Sequence, residues 1–233
     1  MSVDKLPKRS AFFEYMYSYI GRRFFLNTCI KLGLTPNQLT VFSGICGVLG
    51  AVFVAMGMPL IAFICINLYS ILDLVDGDIS RHRNMQSSFG YWLDIFFDKL
   101  IDALLIISIS YLVFQQTNEA SLIFLGMVAM ASIFFNQMVL ILNDTTFLQA
   151  RDKNAYKKFI NTELKSLNFK GQVIHLARKL KFHLSLNHNA FLFLLPVYLL
   201  ALSPTLALLL IAVHALLTLA LNVISNFIAF RGL

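Results

Sequence analysis

The chain has 233 residues, of which 58% are hydrophobic and only 13% are charged. A soluble domain carries about 25% charged residues, and one of this size could not bury so much apolar surface. The composition therefore excludes disorder and a soluble globule, and it indicates an integral membrane protein. The net charge of +7 would suggest nucleic acid in a soluble protein. Basic cytoplasmic loops explain it here, so we expect no nucleic-acid partner.

Residues 1–34 form the first predicted region, a cytoplasmic tail that contains an interfacial helix. Within it, residues 9–31 mix aromatic and basic side chains. This mixture is typical of an amphipathic helix that lies in the lipid headgroup layer. The alternative is a loosely ordered tail.

Residues 35–233 form the second predicted region, an all-α membrane domain. A spanning helix needs about 20 mostly apolar residues, and six segments are candidates. Gly44, Gly47 and Gly50 repeat at helical spacing in the first of them and predict close helix packing, either within the chain or between protomers. The six segments run roughly over 39–57, 59–77, 91–114, 120–142, 189–203 and 205–230.

The distribution of basic residues predicts the orientation of these spans. All 19 Lys and Arg residues except Lys99 lie before span one, between spans two and three, between spans four and five, or after span six. Cytoplasmic loops carry the excess of Lys and Arg, so both termini should be cytoplasmic. The basic segment 147–188 is predicted to be a second interfacial helix that could hold anionic lipid or an anionic substrate.

Acidic residues are concentrated where span two ends and span three begins. Each carboxylate in a membrane segment costs roughly 2.5–3.5 kcal/mol, and several together repel one another unless a cation lies among them. Spacings of three or four residues place two side chains on one helix face. The sequence therefore predicts an acidic pocket for Mg²⁺, Mn²⁺ or Ca²⁺, and two such ions are common in phosphoryl chemistry. The residues so spaced are Asp73 with Asp76 and Asp94 with Asp98.

Two further aspartates lie in the same stretch. Asp78 and Asp102 have a plainer interpretation, as charges on a loop or on a helix face. Asp102 also continues the stripe of Asp94 and Asp98 by four more residues, so it could brace the acidic pocket without lining it.

The acidic stretch carries a recognisable motif. It reads Asp73-Leu-Val-Asp76-Gly77-Asp-Ile-Ser80-Arg81, then eight residues, then Gly90-Tyr-Trp-Leu-Asp94-Ile-Phe-Phe-Asp98. This closely resembles the signature of the CDP-alcohol phosphotransferases, DxxDGxxARx8GxxxDxxxD, with Ser80 in the place of the usual Ala. The segment Thr35-Pro36-Asn37-Gln-Leu-Thr40 is similar to a PNxxT segment that many members carry before span one.

The resemblance implies a reaction and a set of roles. A CDP-alcohol would give its phospho-alcohol to an acceptor hydroxyl, and CMP would leave. Mg²⁺ or Mn²⁺, as two divalent ions, would be the cofactor, and the chain would form a homodimer. Asp73, Asp76 and Asp94 would be metal ligands, with Asp98 a ligand or the general base. The CDP-binding residues would be Asp73, Gly77, Ser80, Arg81, Gly90, Asn37 and Thr40.

The donor and acceptor are less closely specified. CDP-diacylglycerol is the expected donor, in a bacterial or archaeal cytoplasmic membrane. A CDP-choline or CDP-ethanolamine donor with a diacylglycerol acceptor is the alternative, and a non-catalytic lipid-binding homologue and a cation transporter are the rivals. Basic side chains near the pocket could clamp an acceptor phosphate, although they also fit the positive-inside rule. The candidates are Arg151, Arg178 and Lys179.

Overall fold

The computed structural model describes residues 12–145 and 188–230, and in this part of the chain every element is helical. An N-terminal arm consists of α1 (Phe12–Ile20), a π-helical segment (Gly21–Phe25) and α2 (Leu26–Lys31). The longer helices follow: α3 (Pro36–Ala55), α4 (Pro59–Arg83), α5 (Ser88–Thr117), α6 (Ala120–Thr145), α7 (His188–Ala201) and α8 (Pro204–Phe230).

Four described helices are long and apolar enough to cross a membrane, by length and composition: α3, α4, α6 over Ala120–Val139 and α8 over Pro204–Ile224. They agree with predicted spans one, two, four and six, and the chain is an integral membrane protein. α7 is a shorter apolar helix, and α5 carries Asp94, Asp98, Lys99 and Asp102 in its first half. The count of six spans therefore stays a prediction.

The N-terminal arm packs against α4. The hydroxyl of Tyr17, a buried side chain, donates to Asn67 Oδ1 at 2.8 Å. Further along the arm, Leu26 and Cys29 join a buried cluster with Val75 of α4, which also includes Leu39 and Ile79. The arm is thus helical over residues 12–31, and its predicted place in the headgroup layer stays a prediction.

α3 begins with a complete capping box. Thr35 Oγ1 accepts from the Gln38 backbone N–H at 3.3 Å, and Gln38 Oε1 accepts from the Thr35 backbone N–H at 3.0 Å. Pro36 follows at the first helical position, where its missing N–H costs nothing. The cap explains why the helix starts before the predicted span, since hydropathy marks only its apolar part.

The glycines of α3 allow close packing within the chain. A Cβ on Gly44 would overlap the ring of Phe97, and one on Gly47 would lie 2.7 Å from the Ile101 side chain, both on α5. Gly50 meets Ile66 of α4 in the same way. The sequence left open whether these glycines pack within the chain or between protomers. The three contacts all lie within one chain.

The chain divides into two compact units. The first contains the N-terminal arm, α3 to α5, α6 through Gly126, α7, and α8 through Leu209. The second contains the remaining residues of α6 and α8, and within it Asn222 Nδ2 donates to Asn136 Oδ1. All features of the site described below belong to the first unit.

Candidate active site

The two halves of the motif lie on α4 and α5, and a short connection joins them. Asn84 ends α4 in the left-handed conformation, with φ of 54°, and the Met85 backbone N–H then donates to Ser80 O at 2.9 Å. Ser87 caps α5, because its Oγ accepts from the Gly90 backbone N–H at 3.0 Å. The last turns of α4 are thereby brought beside the first turns of α5.

Three of the four motif aspartates converge. Asp73, Asp76 and Asp94 each offer one carboxylate oxygen, and these oxygens all lie within 4.8 Å of one another. Asp76 is 5% exposed and accepts a hydrogen bond from Thr40 Oγ1 of α3. Asp73 Oδ1 is buried, and no hydrogen-bond partner for it occurs in the described residues. An all-carboxylate group with an unsatisfied buried oxygen fits a hard divalent cation.

Asp98 has different neighbours. Its Oδ1 accepts from the Tyr69 hydroxyl of α4 at 2.9 Å and lies 3.0 Å from His188 Nε2 of α7. On the other side of the ring, His188 Nδ1 lies 2.8 Å from Asp102 Oδ1. Lys99 Nζ donates to Asp102 Oδ2 at 3.2 Å. Asp98 thus belongs to a second group of side chains, which we call the histidine relay: Tyr69, Asp98, Lys99, Asp102 and His188.

A cavity of about 290 Å³ opens beside the three carboxylates, and its walls come from α3, α4 and α5. Six of the seven predicted CDP-binding residues line it, and Asp73 is the exception. The six are Asn37, Thr40, Gly77, Ser80, Arg81 and Gly90. Asp76 and Asp94 also line the cavity, so two members of the acidic cluster face the same space as the predicted nucleotide residues.

The sequence profile of the CDP-alcohol phosphatidyltransferases matches residues 33–221, most of the chain. The chain belongs to this family. The match covers the cavity, the acidic cluster and the histidine relay together. It confirms the family resemblance that the motif carried.

Similar proteins come from bacteria and archaea. The chain is 38% identical over 68 residues to a bifunctional IPC transferase and DIPP synthase of Aquifex aeolicus, which is 29% of this chain and 16% of that protein. It is 32% identical over 83 residues to an archaetidylinositol phosphate synthase of Pyrococcus horikoshii, 36% of this chain and 44% of that protein. Each matched segment spans less than half of the relative's own length.

A solved structure has the same fold. The crystal structure of Mycobacterium tuberculosis phosphatidylinositol phosphate synthase, in its apo form, aligns with a TM-score of 0.56 at 15% identity. The alignment covers 87% of this chain and 94% of that one. At this identity the likeness shows the fold of the CDP-alcohol phosphatidyltransferases and nothing finer.

Close approach of the helices shapes the cavity of this family member. Gly90 lies in the first turn of α5, and a Cβ there would lie 3.1 Å from both Asn37 Oδ1 and Ser87 Oγ. A side chain would require these two polar groups to shift by a few tenths of an ångström. The motif glycine therefore allows the first turn of α5 to lie close to Asn37 of α3 at the cavity wall.

Asp78 is paired, in contrast to its plainer interpretation as a loop or surface charge. Its side chain is 1% exposed and meets two guanidinium groups, Arg22 of the N-terminal arm and Arg81 of the motif. Arg22 Nε and Nη2 donate to its two oxygens at 2.6 and 3.2 Å, and Arg81 Nη2 donates to Oδ1 at 2.9 Å. The two-point contact from Arg22 fixes the Asp78 carboxylate, and this carboxylate in turn holds Arg81 at the cavity.

Sequence reasoning missed several residues of the site. Tyr69 and His188 lie outside the motif, so its spacing does not point to them. Arg22 was assigned only to the interfacial helix. The sequence of the α4–α5 connection does not indicate a binding role, yet this connection lines the cavity with Met85, Gln86 and Ser87.

The predicted acceptor residues Arg151, Arg178 and Lys179 lie outside the described residues, as does segment 147–188 apart from His188. Their assignment stays a prediction.

Proposed function

We propose that this chain transfers the substituted phosphate of a CDP-alcohol to an acceptor hydroxyl and releases CMP, in phospholipid biosynthesis. CDP-diacylglycerol is the proposed donor. One observation carries the proposal: a cavity lined by the predicted nucleotide residues shares Asp76 and Asp94 with a cluster of three carboxylates. Family membership supports the same reaction type.

The carboxylate cluster supports a divalent-metal cofactor, for which we propose Mg²⁺ or Mn²⁺. Asp73, Asp76 and Asp94 would hold it, and Asp98 stays a candidate ligand. The unsatisfied oxygen of Asp73 argues for a cation, because a buried carboxylate oxygen without a donor is costly. Such an ion, when bound, neutralises the pyrophosphate and the charge that grows on the leaving phosphate.

The side chains of the cavity would bind and orient the donor. Arg81 Nε is buried without a hydrogen-bond partner in the described residues, so it is available to a phosphate oxygen. Asn37 and Ser87 offer further polar atoms in the cavity wall. The lipid part of the donor would remain in the bilayer, while its nucleotide occupies the cavity.

Asp98 is the proposed general base. It would take the proton of the acceptor hydroxyl, and the acceptor oxygen would then form a bond to the phosphorus that carries the donor's alcohol. The bond from that phosphorus to the CMP oxygen breaks, and CMP leaves with the electron pair. Positioned proton transfer of this kind contributes about 10²- to 10⁴-fold to a rate.

The membrane arrangement is part of the proposal. Six spans would place the cavity at the cytoplasmic surface, where soluble nucleotides occur, with both termini cytoplasmic and a bacterial or archaeal membrane as the location. The helix of the 1–34 region would lie in the lipid headgroup layer, and the proposed active form is a homodimer. The basic-residue distribution and the position of the motif support the proposed orientation.

CMP release tests the function. Purified full-length protein would receive CDP-diacylglycerol with Mg²⁺ or Mn²⁺ and, one at a time, glycerol phosphate, inositol, inositol phosphate, serine, choline and ethanolamine. We expect release with one acceptor, and a loss of at least about 100-fold in Asp98→Asn. Glu119→Gln removes a charge from an exposed residue at the start of α6 and serves as the control.

The acceptor panel also decides between the alternatives. The names of the relatives make inositol phosphate a first acceptor to try. Release from CDP-choline or CDP-ethanolamine with diacylglycerol would replace the proposed donor. Absence of release from every donor would contradict the transferase and favour a lipid-binding homologue.

A further inference from the structure

The histidine relay lies outside the cavity that the motif lines. His188 is the first residue of α7, and its side chain is 10% exposed. Its ring stands between two aspartates of α5, with Nε2 at 3.0 Å from Asp98 Oδ1 and Nδ1 at 2.8 Å from Asp102 Oδ1. Neither His188 nor Asp98 lines the cavity.

The ring of His188 has a carboxylate on each side. An ionised carboxylate oxygen accepts hydrogen bonds and a ring N–H donates them, so Nε2 can contact Asp98 and Nδ1 can contact Asp102. Lys99 Nζ pairs with the other oxygen of Asp102, at 3.2 Å from Oδ2. The Asp102 side chain, which is 1% exposed, therefore has a partner on each oxygen.

Two donors converge on one oxygen of Asp98. The Tyr69 hydroxyl reaches Oδ1 from α4, and His188 Nε2 reaches the same oxygen from α7. The Tyr69 hydroxyl oxygen and His188 Nε2 also lie 3.3 Å apart, so these two groups contact each other as well as Asp98. A carboxylate held at one oxygen by two elements loses its rotational freedom, and its other oxygen is then directed by the fold.

We propose that His188 is a positioning residue that orients the Asp98 carboxylate toward the acceptor hydroxyl, with Asp102 fixing the ring. This inference rests on the proposed function for its catalytic consequence, and on the contacts of the relay for its geometry. His188 acts through Asp98 and does not touch the donor. Losing it should lower kcat and leave the KM for the CDP-alcohol unchanged.

Two substitutions separate positioning from a purely structural tie between α7 and α5. In His188→Gln the amide nitrogen occupies roughly the place of Nε2, so a donor to Asp98 is kept. In His188→Asn the amide nitrogen corresponds to Nδ1, so only the contact with Asp102 is kept. Both variants remove the ring and keep one amide donor, which makes them controls for each other.

The proposal predicts different kinetics for the two variants. We expect kcat in His188→Asn to fall about 10- to 100-fold, while His188→Gln stays within about threefold of the wild type and the KM for the donor is the same in all three. Equal losses in both variants, or a loss that follows thermal stability in detergent, would assign His188 a structural role only.

A structural measurement tests the inference independently of turnover. Experimental structures of the two variants should show the Asp98 carboxylate in its original orientation in His188→Gln and rotated in His188→Asn. An unchanged Asp98 in His188→Asn would overturn the positioning role. Failure of wild-type CMP release would instead count against the proposed reaction, and the orientation of Asp98 would still decide the inference.

Discussion

Asp73 differs from Asp76, a second member of the carboxylate cluster, at the level of single atoms. Asp76 has the hydroxyl of Thr40 as a donor, whereas Asp73 Oδ1 has no donor in the described part of the chain. We predict that Asp73→Asn lowers Mn²⁺ affinity and reduces activity by about 100-fold or more, because an amide replaces the negative charge that the cation requires. Electron paramagnetic resonance of added Mn²⁺ measures the binding directly.

Glu119→Gln is the matched control, since it removes one acidic charge from an exposed residue. Its Mn²⁺ binding should equal that of the wild type. Unchanged Mn²⁺ affinity in Asp73→Asn would mean that the cluster does not hold the ion.

At the residue scale, local spacing indicated part of the site. Asp73 and Asp76 are three residues apart, so any helix places them on one face, and the convergence of these two with Asp94 followed from the motif halves being neighbours. His188 could not be found in this way. It is 86 residues from Asp102 in sequence, and only the packing of α7 against α5 brings the two together.

At the scale of elements, the N-terminal arm supports the cavity through the ion pair of Arg22 with Asp78. Arg22 lies in the π-helical segment, a local geometry that often occurs at functional sites. Its guanidinium reaches Asp78 on α4, and Asp78 also receives Arg81 of the cavity wall. Losing Arg22 would remove one guanidinium group from a buried carboxylate.

We predict that Arg22→Ala lowers the free energy of unfolding by about 1–3 kcal/mol and weakens binding of the CDP-alcohol, because Arg81 is then held less firmly. Arg22→Lys should recover only part of the loss, since an ammonium cannot form the two-point contact. Thermal unfolding in detergent and the KM for the donor measure the two effects.

Arg23→Ala provides the control for Arg22→Ala, because Arg23 is the neighbouring, exposed arginine. Equal effects of both substitutions would show that the charge of the arm matters and the ion pair does not.

The helices themselves were largely predictable, and their ends were not. Apolar runs predicted α3, α4, α6 and α8, because a helix that crosses a bilayer needs about 20 mostly apolar residues. The ends depend on hydrogen bonds that hydropathy ignores, such as the capping box at Thr35 and the left-handed residue Asn84. The capping pattern T-x-x-Q is visible in the sequence, so the start of α3 could have been found.

At the scale of the whole molecule, the orientation of the chain is the testable quantity. Cys29, Cys46 and Cys65 are free, so they can be replaced by Ser to give a background without thiols. In this background we predict that a Glu119→Cys thiol, before α6, reacts with a membrane-impermeant maleimide in intact cells. A Gln86→Cys thiol, in the α4–α5 connection, should react only after permeabilisation, because the basic residues place that connection in the cytoplasm.

The reverse labelling pattern would place the cavity on the outer surface, away from soluble nucleotides. Labelling of both thiols in intact cells would place both positions on the same side of the membrane. That result would contradict the prediction that α5 crosses the membrane between them.

Each residue of the connection between α4 and α5 either caps a helix or lines the cavity. Asn84 closes one helix, Ser87 opens the next, and Met85 and Gln86 between them face the cavity. The eight residues between Arg81 and Gly90 therefore act as a spacer of set length. One residue added inside α5 would turn the following carboxylate by about 100° around the helix axis and shift it by about 1.5 Å along that axis. A change of length in this stretch would therefore put the two halves of the site out of phase.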